Sequence, residues 1–102
     1  MSLLSMSLLS KNMTLSFPNH SRSFDGTKNR VRFWGYDTAI EISFFVEAAA
    51  LRMLVPDMGD GEADTLKAFD VARKRIHEAA NNVYAHRGRK GSYSYILRPD
   101  DF

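Results

Sequence analysis

The chain predicts an α+β fold: a small antiparallel sheet packed against one long and one short helix. The sheet combines a β-hairpin, a C-terminal strand and an N-terminal edge strand. Three features predict it. Residues 29–54 (NRVRFWGYDTAIEISFFVEAAALRML) read as strand, tight turn, strand and helix in one unbroken run. Apolar residues then recur at three- and four-residue steps along about six turns of a second, longer helix. Near the C-terminus, residues 92–97 return to strict alternation before Pro99 stops it.

In chain order, the first ten residues are MSLLS written twice. Serine interrupts every short apolar run there, which excludes the continuous h-region of a secretory signal. Residues 1–13 are expected to be a disordered leader, with Met13 as an alternative start, and 14–102 to form a single α+β domain. Leu15 and Phe17 alternate with Thr14 and Ser16, so 14–17 predicts the edge strand that Pro18 ends. Residues 19–29, rich in Asn, Ser, Asp and Gly, predict a loop pinned to the body by Phe24. From Arg30, Val31 and Phe33 face one way and Arg30, Arg32 and Trp34 the other. Gly35 to Thr38 carries turn chemistry, and the return strand sets Ile40, Ile42 and Phe44 against Ala39, Glu41 and Ser43. That pairing is expected to bring Arg32 near Glu41 or Asp37.

Residues 47–55 predict the short helix, which Pro56 closes. Asp60 is the expected cap of the long helix over 62–86, with Glu62 and Asp64 favourably placed in its first turn. Leu66, Phe69, Ala72, Ile76, Ala79, Ala80 and Val83 form its apolar stripe, and Asp70 stands four residues before Lys74. His86 and Arg87 complement the C-terminal dipole, and Gly88 is the expected stop. Arg89, Lys90 and Gly91 make a basic turn ahead of the last strand, where Tyr93, Tyr95 and Leu97 alternate with Ser94 and Ile96.

A chain of 102 residues, 44% hydrophobic and 25% charged, has the balance of a single ordinary globular domain. No run approaches the ~20 apolar residues of a membrane span, and a cytoplasmic protein without membrane attachment is the expectation. The absence of cysteine excludes a disulfide framework and thiolate chemistry. The net charge of +2 hides segregation. Residues 1–36 are basic, 37–70 strongly acidic, 71–98 strongly basic, and Asp100 and Asp101 close the chain. Blocks of opposite sign are expected to pair with one another in the folded molecule.

The segments SFPNHSRSFD, VRFWGYD leading into EISFFVEAAAL, AFDVARKRIHEAANNVYAHR and SYSYILRPDDF together resemble the bacterial family called domain of unknown function 1488. The resemblance runs from about Leu15 to Phe102. It implies a short stand-alone α+β domain of bacterial origin. It brings no assigned activity, cofactor or catalytic residue, so it transfers no functional position. The doubled MSLLS leader departs from the family's usual start near Met13.

The residues themselves predict no catalytic, cofactor or metal site. His20, His77 and His86 are spread over loop and helix. The last two are nine residues apart, 2.5 helical turns, so they face opposite sides. Asp57, Asp60, Glu62 and Asp64 cluster where helix starts want acids, without calcium-loop spacing. No serine lies in a nucleophile elbow, and Gly59 and Gly61 belong to neither a dinucleotide fingerprint nor a phosphate loop. A cleft grouping His20 with carboxylates would reopen a catalytic reading.

Two binding readings remain. The favoured one is a non-catalytic module that binds an unknown protein partner or a second copy of itself, with Trp34, Tyr36 and Phe45 as candidate interface aromatics. The second is weak nucleic-acid binding through Arg30, Arg32, Trp34, Arg87, Arg89 and Lys90, where cations and a stacking ring would meet phosphates and bases.

Overall fold

The computed structural model describes residues 15–87 and 94–102. The expected leader, the stop at Gly88 and the basic turn with Arg89 and Lys90 lie outside the described residues. Strands β1 (Arg22–Asp25), β2 (Arg30–Asp37), β3 (Ile40–Glu47) and β4 (Ser94–Leu97) form one sheet in the order β1-β2-β3-β4. Helices α1 (Ala48–Leu54), α2 (Glu62–Val71) and α3 (Arg73–Arg87) follow β3 in sequence and pack on one face of the sheet, and a 3-10 turn (Pro99–Asp101) follows β4. The α+β class stands. No helix among the described residues is long and apolar enough to cross a membrane.

The core sits between the inward sheet face and the helices. Val31 and Phe33 of β2, Ile42, Phe44 and Val46 of β3, and Leu97 of β4 are buried by strict alternation. Leu51, Phe69, Ile76, Ala80 and Val83 meet them from the helices. Phe33 is the hub, with ring centroids 5.3 Å from Phe44 and 5.2 Å from Phe69. Each fully buried ring of this kind contributes about 1.5–3 kcal/mol from area alone.

The details depart from the sequence expectation in instructive places. The sheet is mixed, because β4 runs parallel to β3. Three helices connect the two strands, and a long crossover of this kind is what a parallel neighbour requires. The hairpin turn is tighter than expected. Asp37 pairs with Ile40, so Thr38 and Ala39 alone make the turn, with Thr38 at a φ of 52°. Gly35 lies inside β2 opposite Ile42. Its missing side chain admits the Phe17 ring, whose Cε1 would stand 2.7 Å from a Cβ at that position. Only glycine allows that approach.

The edge of β2 is occupied in two pieces. The expected strand over 14–17 shrinks to a single antiparallel bridge, Ser16 to Tyr36. Pro18 then removes a donor, and an Asn19 side-chain turn onto the Ser21 amide carries the chain outward. Pairing resumes at β1, inside the expected loop, where Arg22 faces Phe33 and Asp25 faces Arg30.

The long helix breaks at Ala72 into α2 and α3, although neither glycine nor proline marks the joint. The Ala72 amide still donates to Ala68, and the Ile76 amide to Ala72, so the stripe of Phe69, Ala72 and Ile76 stays buried across it. Gly61, not Asp60, is the N-cap of α2; Asp60 pairs with Arg52 at 2.9 Å, and the Thr65 hydroxyl donates to the Gly61 carbonyl. Asp70 bonds Arg22 and Arg73 rather than Lys74. The charge blocks do meet: Arg22–Asp70, Arg87–Asp101 and Arg98–Glu47 join segments of opposite sign. At these partly exposed positions each pair adds at most about 1 kcal/mol.

Candidate interaction surface

Among the described residues, the helices cover one face of the sheet and leave the other open. Alternation places Ser23 and Asp25 of β1, Arg30, Arg32, Trp34 and Tyr36 of β2, Glu41, Ser43, Phe45 and Glu47 of β3, and Ser94 and Ile96 of β4 on that outer face. All of them are half-buried or exposed, whereas their inward neighbours from Val31 to Phe44 are shut away.

The register arranges this face in rows across the strands. Arg32 lies opposite Phe45, with Ser23 on one side and Ile96 on the other. The expected approach of Arg32 to Glu41 or Asp37 does not occur, because the tight turn pairs Glu41 with Tyr36 instead. Arg32 donates to the Ser43 hydroxyl at 3.0 Å and makes no ion pair among the described residues. Its guanidinium carbon stands 5.0 Å from the Trp34 ring centroid and 5.7 Å from that of Phe45. Arg30 lies over the same Phe45 ring, 3.9 Å from its centroid, while bonding Asp25 at 3.0 Å. The result is a ladder, Trp34–Arg32–Phe45–Arg30, of alternating ring and cation.

Charge on the face balances. Arg30, Arg32 and the adjacent Arg98 are matched by Asp25, Glu41 and Glu47. Glu41 accepts from the Tyr36 hydroxyl at 3.0 Å, and that hydrogen bond raises the phenol's pKa above its ordinary value.

The three candidate interface aromatics, Trp34, Tyr36 and Phe45, thus share this one face, together with Arg30 and Arg32. Arg87 does not join them. It ends α3 on the helical layer and is held by Asp101 at 2.5 Å. Arg89 and Lys90 lie outside the described residues. Ile96 belongs to the face as well; its alternation with Tyr95 and Leu97 was the signal that exposed it.

On the helical side, a shallow groove of about 630 Å³ brings His20 and His77 together with Asp70 and Glu78. This is the grouping that bears on catalysis. Asp70 is committed to Arg22 and Arg73, and the Arg22 hydrogen bonds foremost hold its carboxyl below the usual range. His77 lies flat on Phe17, with ring centroids 3.8 Å apart and planes 6° from parallel. Burial first, then the charge of Arg73 and the proximity of His20, push its pKa down to about 4. Among the described residues no hydroxyl side chain lines the groove. Among the described residues no three His, Asp or Glu side chains converge as a metal-binding group.

A family model described as "protein of unknown function (DUF1488)" matches residues 15–97. The fold is similar to a crystal structure, at 1.60 Å resolution, of a DUF1488-family protein of unknown function from Shewanella loihica PV-4. The two are 14% identical with a TM-score of 0.72, over 83% of this chain and 92% of that one, a likeness of fold alone. No curated protein matches the chain.

Proposed function

We propose that this chain, which belongs to the DUF1488 family of proteins of unknown function, is a non-catalytic interaction module that binds protein through the open face of its sheet. The observation that carries the reading is the Trp34–Arg32–Phe45–Arg30 ladder on a face that, among the described residues, no helix covers. Tyrosine, tryptophan, phenylalanine and arginine are the residue types enriched at protein interfaces. Small Ser23, Ser43 and Ser94 surround the rings, so another surface can approach closely. The groove on the other side supports the non-catalytic part. Of its two carboxylates Asp70 is spent on two arginines, and of its two imidazoles the half-buried His77 is too weak a base to activate a nucleophile at neutral pH.

A second reading, single-stranded nucleic acid, is favoured by the stacking geometry of Trp34 and Phe45. It is weakened by the charge balance of the face, since phosphate binding wants an uncompensated cationic groove. Arg87 lies on the opposite layer and cannot add to it.

Site-specific photocrosslinking in the cells that produce the chain tests the reading. A benzophenone side chain replaces Phe45 on the open face or, as control, exposed Glu62 on α2. Protein adducts are expected from position 45 and not from position 62. Nuclease-sensitive adducts at 45 would favour the second reading, and no adduct at 45 would overturn both.

A further inference from the structure

We infer that the occupant of the open face is a second copy of this chain, docked face to face about a two-fold axis over the Trp34–Ser43 row. The inference rests on the interaction reading above and names its partner. A two-fold interface brings one patch against itself, so the patch must be self-complementary in charge and shape. This face meets that demand in a specific way. Most of its charges already have an opposite partner within the chain: Arg30 with Asp25, and Arg98 with Glu47. Two do not. Among the described residues Arg32 is a cation held only by a serine hydroxyl and ring faces, and Glu41 is an anion held only by a phenol.

Their positions are related by the register. The rows run Arg32–Phe45, then Trp34–Ser43, then Tyr36–Glu41. The row of Trp34 is therefore midway between the unpaired cation and the unpaired anion, which stand four residues apart along the strands, about 13 Å. A two-fold axis lying across the strands above that middle row turns the Arg32 row of one copy onto the Glu41 row of the other. The same operation satisfies both pairs at once. Trp34 comes to the axis, where the small Ser43 leaves room for the ring of the second copy. Phe45 and Ile96, in the Arg32 row, flank that centre beside the charge pairs, and sheets packed this way sit about 10 Å apart.

The face is about 19 Å wide across four strands and about 20 Å long. That is smaller than the ~800 Å² per partner of standard interfaces, which places the pair among weak, transient associations.

Sedimentation velocity of the purified chain, from low micromolar to about 1 mM, reads the prediction through exchanged charges. Arg32 and Glu41 are both exposed, so R32E and E41R keep the fold, as circular dichroism verifies. Each variant alone sets like charges against each other at both contacts and is expected to dissociate at least tenfold more readily than wild type. An equimolar mixture of R32E and E41R places opposite charges at both contacts and is expected to restore the dimer. Wild type that stays monomeric throughout overturns the inference, as does a dimer indifferent to both substitutions or a mixture that fails to recover. A monomer in solution combined with protein adducts at position 45 in cells would refute the second copy and leave the interaction reading standing. A monomer without adducts would refute both.

Discussion

Replacing His77 by phenylalanine should flatten the dependence of stability on pH between 7 and 4.5. In the folded chain the imidazole is half-buried, stacked on Phe17 at 3.8 Å and 5.8 Å from the Phe33 ring, with a pKa of about 4. Unfolded, it returns to 6.5. Between those values the unfolded chain binds a proton that the folded chain refuses, so stability falls as pH drops from 6.5 towards 4 and the loss is complete below that. The gap from 6.5 to about 4 is worth about 3.4 kcal/mol at 1.36 kcal/mol per pH step. Solvent reaches one side of the ring, and screening cuts the figure to about half. At pH 4.5 the expected loss is therefore about 1–1.5 kcal/mol. Asp70 does not confuse the measurement. Its pKa is lowered from 3.8, so its own contribution is retained above its unfolded pKa and lost as pH falls through the still lower folded value. Urea denaturation followed by circular dichroism at pH 7.0 and 4.5 measures the difference. Phenylalanine keeps a ring on Phe17 without a titrating group. Equal losses for the wild type and H77F would refute the assignment of a buried neutral imidazole.

Other substitutions test the packing. Gly35→Ala should cost about 1–3 kcal/mol, because its methyl would stand 2.7 Å from the Phe17 ring; a Phe17→Leu second change should recover part of that cost in thermal denaturation. Thr38→Gly should raise stability by about 0.5–1 kcal/mol, since a β-branched residue at a φ of 52° is strained where glycine is not; an unchanged or lowered midpoint would count against strain at the turn. Asn81→Ala removes the side-chain oxygen that accepts from the Leu15 amide at 2.8 Å. Hydrogen exchange at the Leu15 and Ser16 amides should quicken about tenfold while α3 stays protected, and equal quickening in both would mean a global effect.

How much of this was legible in the sequence depended on the range of the contact involved. Alternation along 30–34 was enough to place Arg30, Arg32 and Trp34 on one face, because period two is a property of the strand alone. Which residues stood across from them was not, since a shift in the turn moves every pairing. A turn at Gly35–Thr38 would bring Arg32 near Glu41 or Asp37. With the turn at Thr38-Ala39 it faces Phe45, and the ring–cation ladder exists only in that register. By its type Gly35 reads as a turn residue, whereas its use is to admit Phe17, a contact set by the fold of the N-terminal segment. β1 was hidden because Ser, Asp and Gly around Phe24 look like a loop; a strand of four residues at an edge needs little propensity when β2 offers it a ladder. The parallel pairing of β4 was not encoded locally at all, since Tyr95 and Leu97 alternate alike in either direction. His77 on Phe17 likewise joins two segments whose meeting no periodicity announces.

The ladder also explains how a single copy tolerates an open face bearing Trp34, Phe45 and Ile96. Arg30 and Arg32 set their guanidinium groups over the rings, so part of the aromatic surface is already shielded. Asp25 fixes Arg30 in that position, and Ser43 fixes Arg32. A docking partner therefore gains only the surface the arginines leave uncovered, and it must match the fixed positions of Arg32 and Glu41 to do so. Affinity from such a face is modest by construction, and selectivity rests on charge placement more than on area. The same fixed side chains that keep the open sheet compatible with water are thus the ones that decide what can cover it.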